Sequence, residues 1–302
     1  MFATMPPILR AIILMVIGMF FFMMGDLFLK LSSQFLPLGM VVMALGLGMS
    51  ALFALLMARS GDIFLDRAYT HPAMIMRCIG ESIGIIGVII AVAYAPLSTV
   101  TAIMQSLPLV LTFMGAVFLK EAVGWRRVLA LLAGLVGVLI IIRPGMDGFD
   151  VYASFTLVGV AGMAIRDFGT RIMPARISTF ALSYYGSVMI FITGIGMMAL
   201  SQDWQMPTGQ ASLYVAGLII TAAIGTLAVS TAMRLGDVSV ISPFRYIRVV
   251  FGVGAGILIL GEQVDSATYI GCSIVVGAGL YSWMRERKLA VADLPADPKD
   301  CT

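Results

Sequence analysis

Charge is scarce in this chain. Only 12% of its 302 residues are Asp, Glu, Lys or Arg, against 60% apolar residues and a mean hydropathy of +1.03. Water cannot solvate such a composition as a folded surface. Histidine occurs once, as His71 before Pro72, and cysteine three times, as Cys78, Cys272 and Cys301. The cysteines are too scattered for a disulfide framework or a thiolate metal site and read as packing residues. His71 has no partner cluster and reads as a boundary residue. No metal and no cofactor is expected. HExxH and GxSG are both missing, and Gly25-Asp26 and Gly236-Asp237 fall near opposite membrane faces, too far apart for an aspartyl pair. An intramembrane enzyme therefore lacks a nucleophile with its base. The net charge of +3 reflects loop bias and points to no nucleic acid.

Long apolar runs are abundant instead. A spanning helix needs about 20 mainly apolar residues. Ten runs qualify: 10–30, 36–58, 73–94, 97–119, 126–143, 152–171, 178–200, 211–233, 238–260 and 266–284. They use nearly all the chain, which predicts an all-α membrane protein of ten transmembrane helices with the lipid bilayer as its surroundings. Function is then expected inside the bilayer. The first run extends too far, and carries Asp26 and Lys30, to read as a cleaved signal peptide. The segment 290–302, rich in Asp, Pro and Ala, reads as a disordered cytoplasmic tail.

The chain also repeats itself. A shift of 141 positions lays Glu121 on Glu262, Asp26 on Asp167 and Lys30 on Arg171; a one-residue slip then lays Gly137 on Gly279 and Arg143 on Arg285. Five runs fall in each copy, 10–143 and 151–285. An odd number of spans per copy inverts the second relative to the first, a layout found in secondary transporters. Alternate connections agree: Arg10, Arg59, Arg67, Lys120, Arg126, Arg127, Arg176, Arg234 and Arg287 share one side, with little beyond Lys30 and Arg143 on the other. The positive-inside bias makes the rich side cytoplasmic and puts both termini there. A multi-pass protein of the plasma (inner) membrane is expected.

Within the spans, Gly80/Gly84, Gly134/Gly137 and Gly252/Gly256 give small residues at helical spacing, which lets helices approach closely. Pro108, after Gln105 and Ser106, and Pro243, before Phe244-Arg245-Tyr246, sit on equivalent spans and loosen the backbone there. Freed carbonyls beside polar side chains suit a cavity wall; a packing kink is the plainer alternative.

An ionisable residue at membrane depth is a functional candidate by default. Glu81, Arg166, Asp167, Arg245 and Arg248 qualify. The expectation is a cavity whose arginines meet a carboxylate or phosphate of a small-molecule substrate, since the guanidinium fork binds such groups bidentately. Arg245, Tyr246, Arg248, Arg166, Glu81, Gln105 and Tyr184 are the candidate substrate-binding residues. Asp26 with Lys30, and Asp167 with Arg171, share i, i+4 spacing and read as gating or coupling locks within a helix. Glu121 and Glu262, in turns after equivalent spans, are expected to cap the next helix start. Arg166, Arg245 and Arg248 have Gly25, Met104 and Leu107 as counterparts, so the cations are confined to one copy.

The segments 95–102, Phe118-Leu119-Lys120-Glu121, Trp125-Arg126-Arg127 and 134–144 recur as Gly236-Asp237-Val238-Ser239, Pro243-Phe244-Arg245-Tyr246, Leu260-Gly261-Glu262 and 277–281. On these residues the chain resembles the drug/metabolite transporter superfamily, in its ten-helix EamA-type branch. The first copy departs from the pattern, with Lys120 in place of the glycine before glutamate. The resemblance implies a carrier that moves small organic metabolites by alternating access through a central cavity. Arg166-Asp167-Phe168-Gly169-Thr170-Arg171 is similar to a segment of riboflavin and S-adenosylmethionine uptake members. The competing reading is a non-transporting scaffold or sensor whose buried charges only pack the bundle. The Arg excess favours an anionic or zwitterionic solute, of amino-acid, nucleoside or vitamin type. The sequence sets no oligomeric state, and a monomer suffices for this reading.

Overall fold

The computed structural model describes residues 5–64, 66–118, 120, 125–143, 150–174, 176–235 and 242–292. Among these every regular element is helical: α1 Pro7–Ser32, α2 Leu38–Ser60, α3 Pro72–Tyr94, α4 Leu97–Met104, α5 Leu107–Phe118, α6 Trp125–Ile142, α7 Val151–Arg171, α8 Thr179–Ser201, α9 Gly209–Leu235, α10 Ile247–Leu258 and α11 Ser266–Ala292. Two 3-10 turns, Arg67–Thr70 and Ser242–Tyr246, precede α3 and α10. Seven stretches, counting α4 with α5 as one, are long and apolar enough to cross a membrane, and shorter apolar helices cover 128–142 and 266–281. The protein is a multi-pass membrane protein.

Local chemistry sets the helix starts. Pro37 and Pro96 stand as N-caps of α2 and α4, and α3 opens on Pro72, where the missing N–H costs no ladder bond. His71 is no bystander there: its Nδ1 accepts from the Ala73 amide at 3.2 Å. Asp150 and Ser178 cap α7 and α8 through the amides of Tyr152 and Ala181. The predicted span 97–119 is not one smooth helix. Its backbone tightens at Gln105 and Ser106, whose amides bond the carbonyls of Ala102 and Ile103. Pro108 then falls in the first turn of α5, where it fits without a broken bond. The counterpart span 238–260 enters the described residues as the 3-10 turn followed by α10.

Packing pairs each element with one from the other half. The leading pairs are α3 with α7, α1 with α9, α2 with α8, α6 with α11 and α4 with α10; α5 lies on α7 as α10 lies on α1. Exchanging the two halves leaves this list unchanged apart from α4 with α10, because the counterpart of α10 is α5 and that of α4, 238–245, lies partly outside the described residues. The exchange holds at single residues: Gly18 faces Val229 as Gly159 faces Val88, and Gly25 faces Thr221 as Gly80 faces Arg166, each pair related by 141 positions. Counterparts run antiparallel, with Gly39 on Met198 and Gly194 on Met43 for α2 and α8, and Gly137 on Gly271 and Gly134 on Ala278 for α6 and α11; α10 also crosses α4 antiparallel, with Gly256 on Ser98 and Gly252 on Thr101.

Lipid tails are as apolar as leucine, so close packing rather than water exclusion holds such a bundle. The α3–α7 crossing is tight. A Cβ on Gly162 would lie 2.6 Å from Gly84 Cα and 2.8 Å from the Gly80 carbonyl oxygen, both backbone atoms that cannot step aside. Gly162→Val should therefore cost the upper part of the roughly 1–3 kcal/mol that overpacking costs, read as a lower melting temperature in detergent. Gly196→Ala, where a Cβ meets nothing within 4 Å, should leave it unchanged.

Candidate functional site

The same crossing assembles the buried charges. Because Gly80 has no side chain, the backbone of α7 at Arg166 rides directly on α3, and the flanking Arg77 and Glu81 reach around the contact. Arg77 pairs with Glu81 at 3.6 Å, donates to Thr170 Oγ1 at 2.8 Å and reaches the Leu182 carbonyl at 3.3 Å. Glu81 accepts from Arg166 at 3.3 Å, and Arg166 Nε donates to Asp167 at 2.8 Å. Asp167 then faces Arg245 at 3.8 Å. Gly186 on α8 leaves the room: a Cβ there would come within 3.1 Å of Glu81 Oε2 and 3.3 Å of Arg77.

The result is an unbroken row of alternating sign, Arg77, Glu81, Arg166, Asp167 and Arg245, with three cations against two anions. All five side chains are 12–23% exposed, and at this burial a charge needs a partner. Four have at least one hydrogen bond or two ionic contacts. Arg245 differs. It offers five N–H donors, yet among the described residues its side chain makes no hydrogen bond, and its one carboxylate stands at 3.8 Å, beyond hydrogen-bond range.

A second pair lies alongside. Asp26 on α1 accepts from Arg248 on α10 at 2.5 Å, and the Arg248 guanidinium sits 5.7 Å over the Phe22 ring. Where the span bends, Gln105 Nε2 donates to both the Arg245 and Tyr246 carbonyls at 3.2 Å. Gln105 and Tyr246 are counterparts in the repeat, so the two bends meet where the halves cross. Gln105→Ala should remove both bonds and cost about 0.5–1.5 kcal/mol for each, read as a drop in melting temperature that Gln105→Glu does not rescue.

Several expected placements are corrected. Asp26 and Lys30 do not lock to each other across one helical turn; Asp26 meets Arg248, and Lys30 meets Glu262 at 3.7 Å. Asp167 meets Arg166 and Arg245, with Arg171 in the last turn of α7. For Asp26, Lys30 and Asp167 a charged group from a packed neighbour, Arg248, Glu262 or Arg245, stands within ion-pair range instead. Tyr246 is buried at 7% exposure against Gly279, whose missing Cβ makes the niche for its phenol. Tyr184 stacks edge-on with Phe64 and Tyr185, and the Tyr185 hydroxyl donates to the Phe64 carbonyl. These rings fasten the connection between α2 and α3. Glu262 caps α4 in the other half, not the following helix. Glu121 lies outside the described residues. Arg77 went unread in the sequence, although its i, i+4 spacing to Glu81 was the signal.

Comparisons with known proteins agree with this architecture. A solved crystal structure superposes with a TM-score of 0.63 over 92% of this chain and 98% of its own, at 18% identity, a likeness of fold. Among curated proteins, the chain is 28% identical to a riboflavin transporter of Vibrio cholerae over 62% of each chain. It is 23% identical to an S-adenosylmethionine uptake transporter of Rickettsia felis over 64% of this chain and 65% of that one. A pseudopaline exporter of Pseudomonas aeruginosa is 24% identical over 76% and 81%. The chain thus spans less than two thirds of the first two relatives. The profile of the EamA-like transporter family matches residues 9–143 and 151–283, nearly the whole helical bundle. On that match, and with helices that repeat it in two halves, the chain belongs to the EamA-like transporter family.

Proposed function

We propose that the chain is a secondary transporter that moves a small organic solute bearing a carboxylate or phosphate by alternating access. Its two halves, 10–143 and 151–285, act as inverted copies that rock about the crossing of α4 and α10. The antiparallel packing of counterpart helices supports the inversion. The charge bias of the connections supports an inner-membrane protein with both termini in the cytoplasm.

One observation carries the solute class: Arg245 is a half-buried guanidinium that makes no side-chain hydrogen bond among the described residues, at the open end of a row with one cation in excess. An anionic group docked on Arg245 fills the vacant donors and neutralises that excess. Arg166 and Glu81 set the row in place, and the Asp26–Arg248 pair, between α1 and α10, is the gating element nearest to it. Relatives named as transporters of riboflavin, S-adenosylmethionine and pseudopaline point to transport rather than catalysis.

A thermal-shift screen tests the solute class. Purified protein in detergent is melted with amino acids, nucleotides, riboflavin and S-adenosylmethionine, together with polyamines as the cationic set. Stabilisation is expected from solutes with a carboxylate or phosphate. Stabilisation by the polyamines alone would remove the electrostatic argument.

A further inference from the structure

Away from the charge row, at the end of the bundle where α1 finishes and α4 begins, four segments converge on one carboxylate. Glu262 stands in the turn after α10. The turn folds back on its helix, with the Leu260 amide on the Ala255 carbonyl and the Glu262 amide on the Gly256 carbonyl at 2.8 Å. Gly261 permits this through a φ of +66°, a left-handed conformation that glycine adopts without strain. The side chain is thereby aimed across the interface at the other half.

There Glu262 Oε1 accepts from the Leu97 amide at 2.6 Å, while Oε2 accepts from the Ser98 amide at 3.0 Å and the Ser98 hydroxyl at 2.8 Å. These are orphan donors at the first turn of α4. Lys30, from the last turn of α1, stands 3.7 Å from the same carboxylate and donates to the Ala95 carbonyl at 2.5 Å. Gly256 makes the slot: a Cβ there would sit 2.5 Å from Glu262 Oε2 and 3.4 Å from Ser98 Cβ. The Arg143–Asp265 pair holds the far end of the same turn. The bonds of the Glu262 carboxylate to Leu97, Ser98 and Lys30, and the Arg143–Asp265 pair, all join residues of opposite halves.

We propose that Glu262 is a latch. Seated on α4 with Lys30 beside it, it shuts this end of the solute path, and the path opens here when the carboxylate leaves the α4 N-terminus. This rests on the transport reading above and adds a gating residue to it. The physical basis is that charge-assisted bonds to backbone amides are strong yet all end on one side chain, so they break together when the turn swings away. A static brace would instead be spread over many apolar contacts.

The test uses the full chain with Cys78, Cys272 and Cys301 replaced by Ser and a single reporter, Thr101→Cys, one turn below Ser98 and 2% exposed. Alkylation by a charged, water-soluble maleimide is followed in detergent, where both ends are open to reagent. Glu262→Gln, and separately Gly256→Ala, should raise the rate by about tenfold or more, the factor that losing bonds to a charged acceptor produces. A control reporter, Ala181→Cys in a separate buried cluster, should stay unreactive in both variants. An unchanged Thr101→Cys rate would overturn the latch, and so would a rise matched at Ala181→Cys, because that reports general loosening. The readout needs no solute. A latch that opens in a protein that carries nothing would retain the latch and remove the transport reading; an unmoved rate in a working carrier would do the reverse.

Discussion

Arg245→Ala should abolish solute-induced stabilisation while leaving the melting temperature of the solute-free protein almost unchanged. The two halves of that expectation come from the same geometry. Asp167 keeps Arg166 at 2.8 Å when Arg245 is lost, so the fold retains a paired carboxylate. The solute loses the guanidinium of the row that, among the described residues, makes no side-chain hydrogen bond. Removing one partner of a desolvated charge pair weakens binding by about 2 kcal/mol or more, or roughly 30-fold at least. Arg245→Lys should fall in between, because an ammonium keeps the charge but not the planar fork. Titration of the best stabilising solute by calorimetry separates the three proteins. Equal affinity in Arg245→Ala would move the anion site elsewhere.

Glu81→Ala should do the opposite and strike stability first. Glu81 neutralises Arg77 at 3.6 Å and Arg166 at 3.3 Å, so its loss strands Arg77 and leaves Asp167 as the row's one carboxylate, between Arg166 and Arg245. Breaking a buried pair by deleting one partner costs about 3–5 kcal/mol, and the desolvation penalty of the survivors makes up most of it. Glu81→Ala combined with Arg77→Met should recover part of that loss, since the second change removes a stranded cation. Denaturation in mixed micelles gives the cycle. A change below about 1 kcal/mol for Glu81→Ala would mean that water already screens the row, as at an exposed pair.

These two residues also mark how far the sequence could be read. Hydropathy and proline placement carry depth and length, so the apolar spans and an interruption of the span 97–119 beside Pro108 were legible, although the interruption is a tightened turn at Gln105 and Ser106 rather than a loosened backbone. The duplication was legible because Asp26, Lys30 and Glu121 recur at one offset. Partners were not. A charged side chain in a spanning helix reveals its depth but not the angle at which it leaves the helix axis, and that angle selects its neighbour. Asp26 and Lys30 looked like a pair on one face; packing of α1 against α10 gave Asp26 to Arg248, and the turn after α10 gave Lys30 to Glu262. Glu262 looked like a cap for its own next helix, but Gly261 turns it toward α4. Arg77 was the avoidable miss, four residues before Glu81 on a helix whose glycine at position 80 already announced a close approach.

Solute counterflow in proteoliposomes tests the central claim most directly. Vesicles preloaded with an unlabelled candidate from the stabilising set are diluted into its radiolabelled form, with wild-type and Arg245→Ala protein reconstituted at equal density. The account predicts transient accumulation of label for at least one solute bearing a carboxylate or phosphate, and none for Arg245→Ala. No accumulation of any such solute by the wild-type protein, or undiminished accumulation by Arg245→Ala, would contradict it.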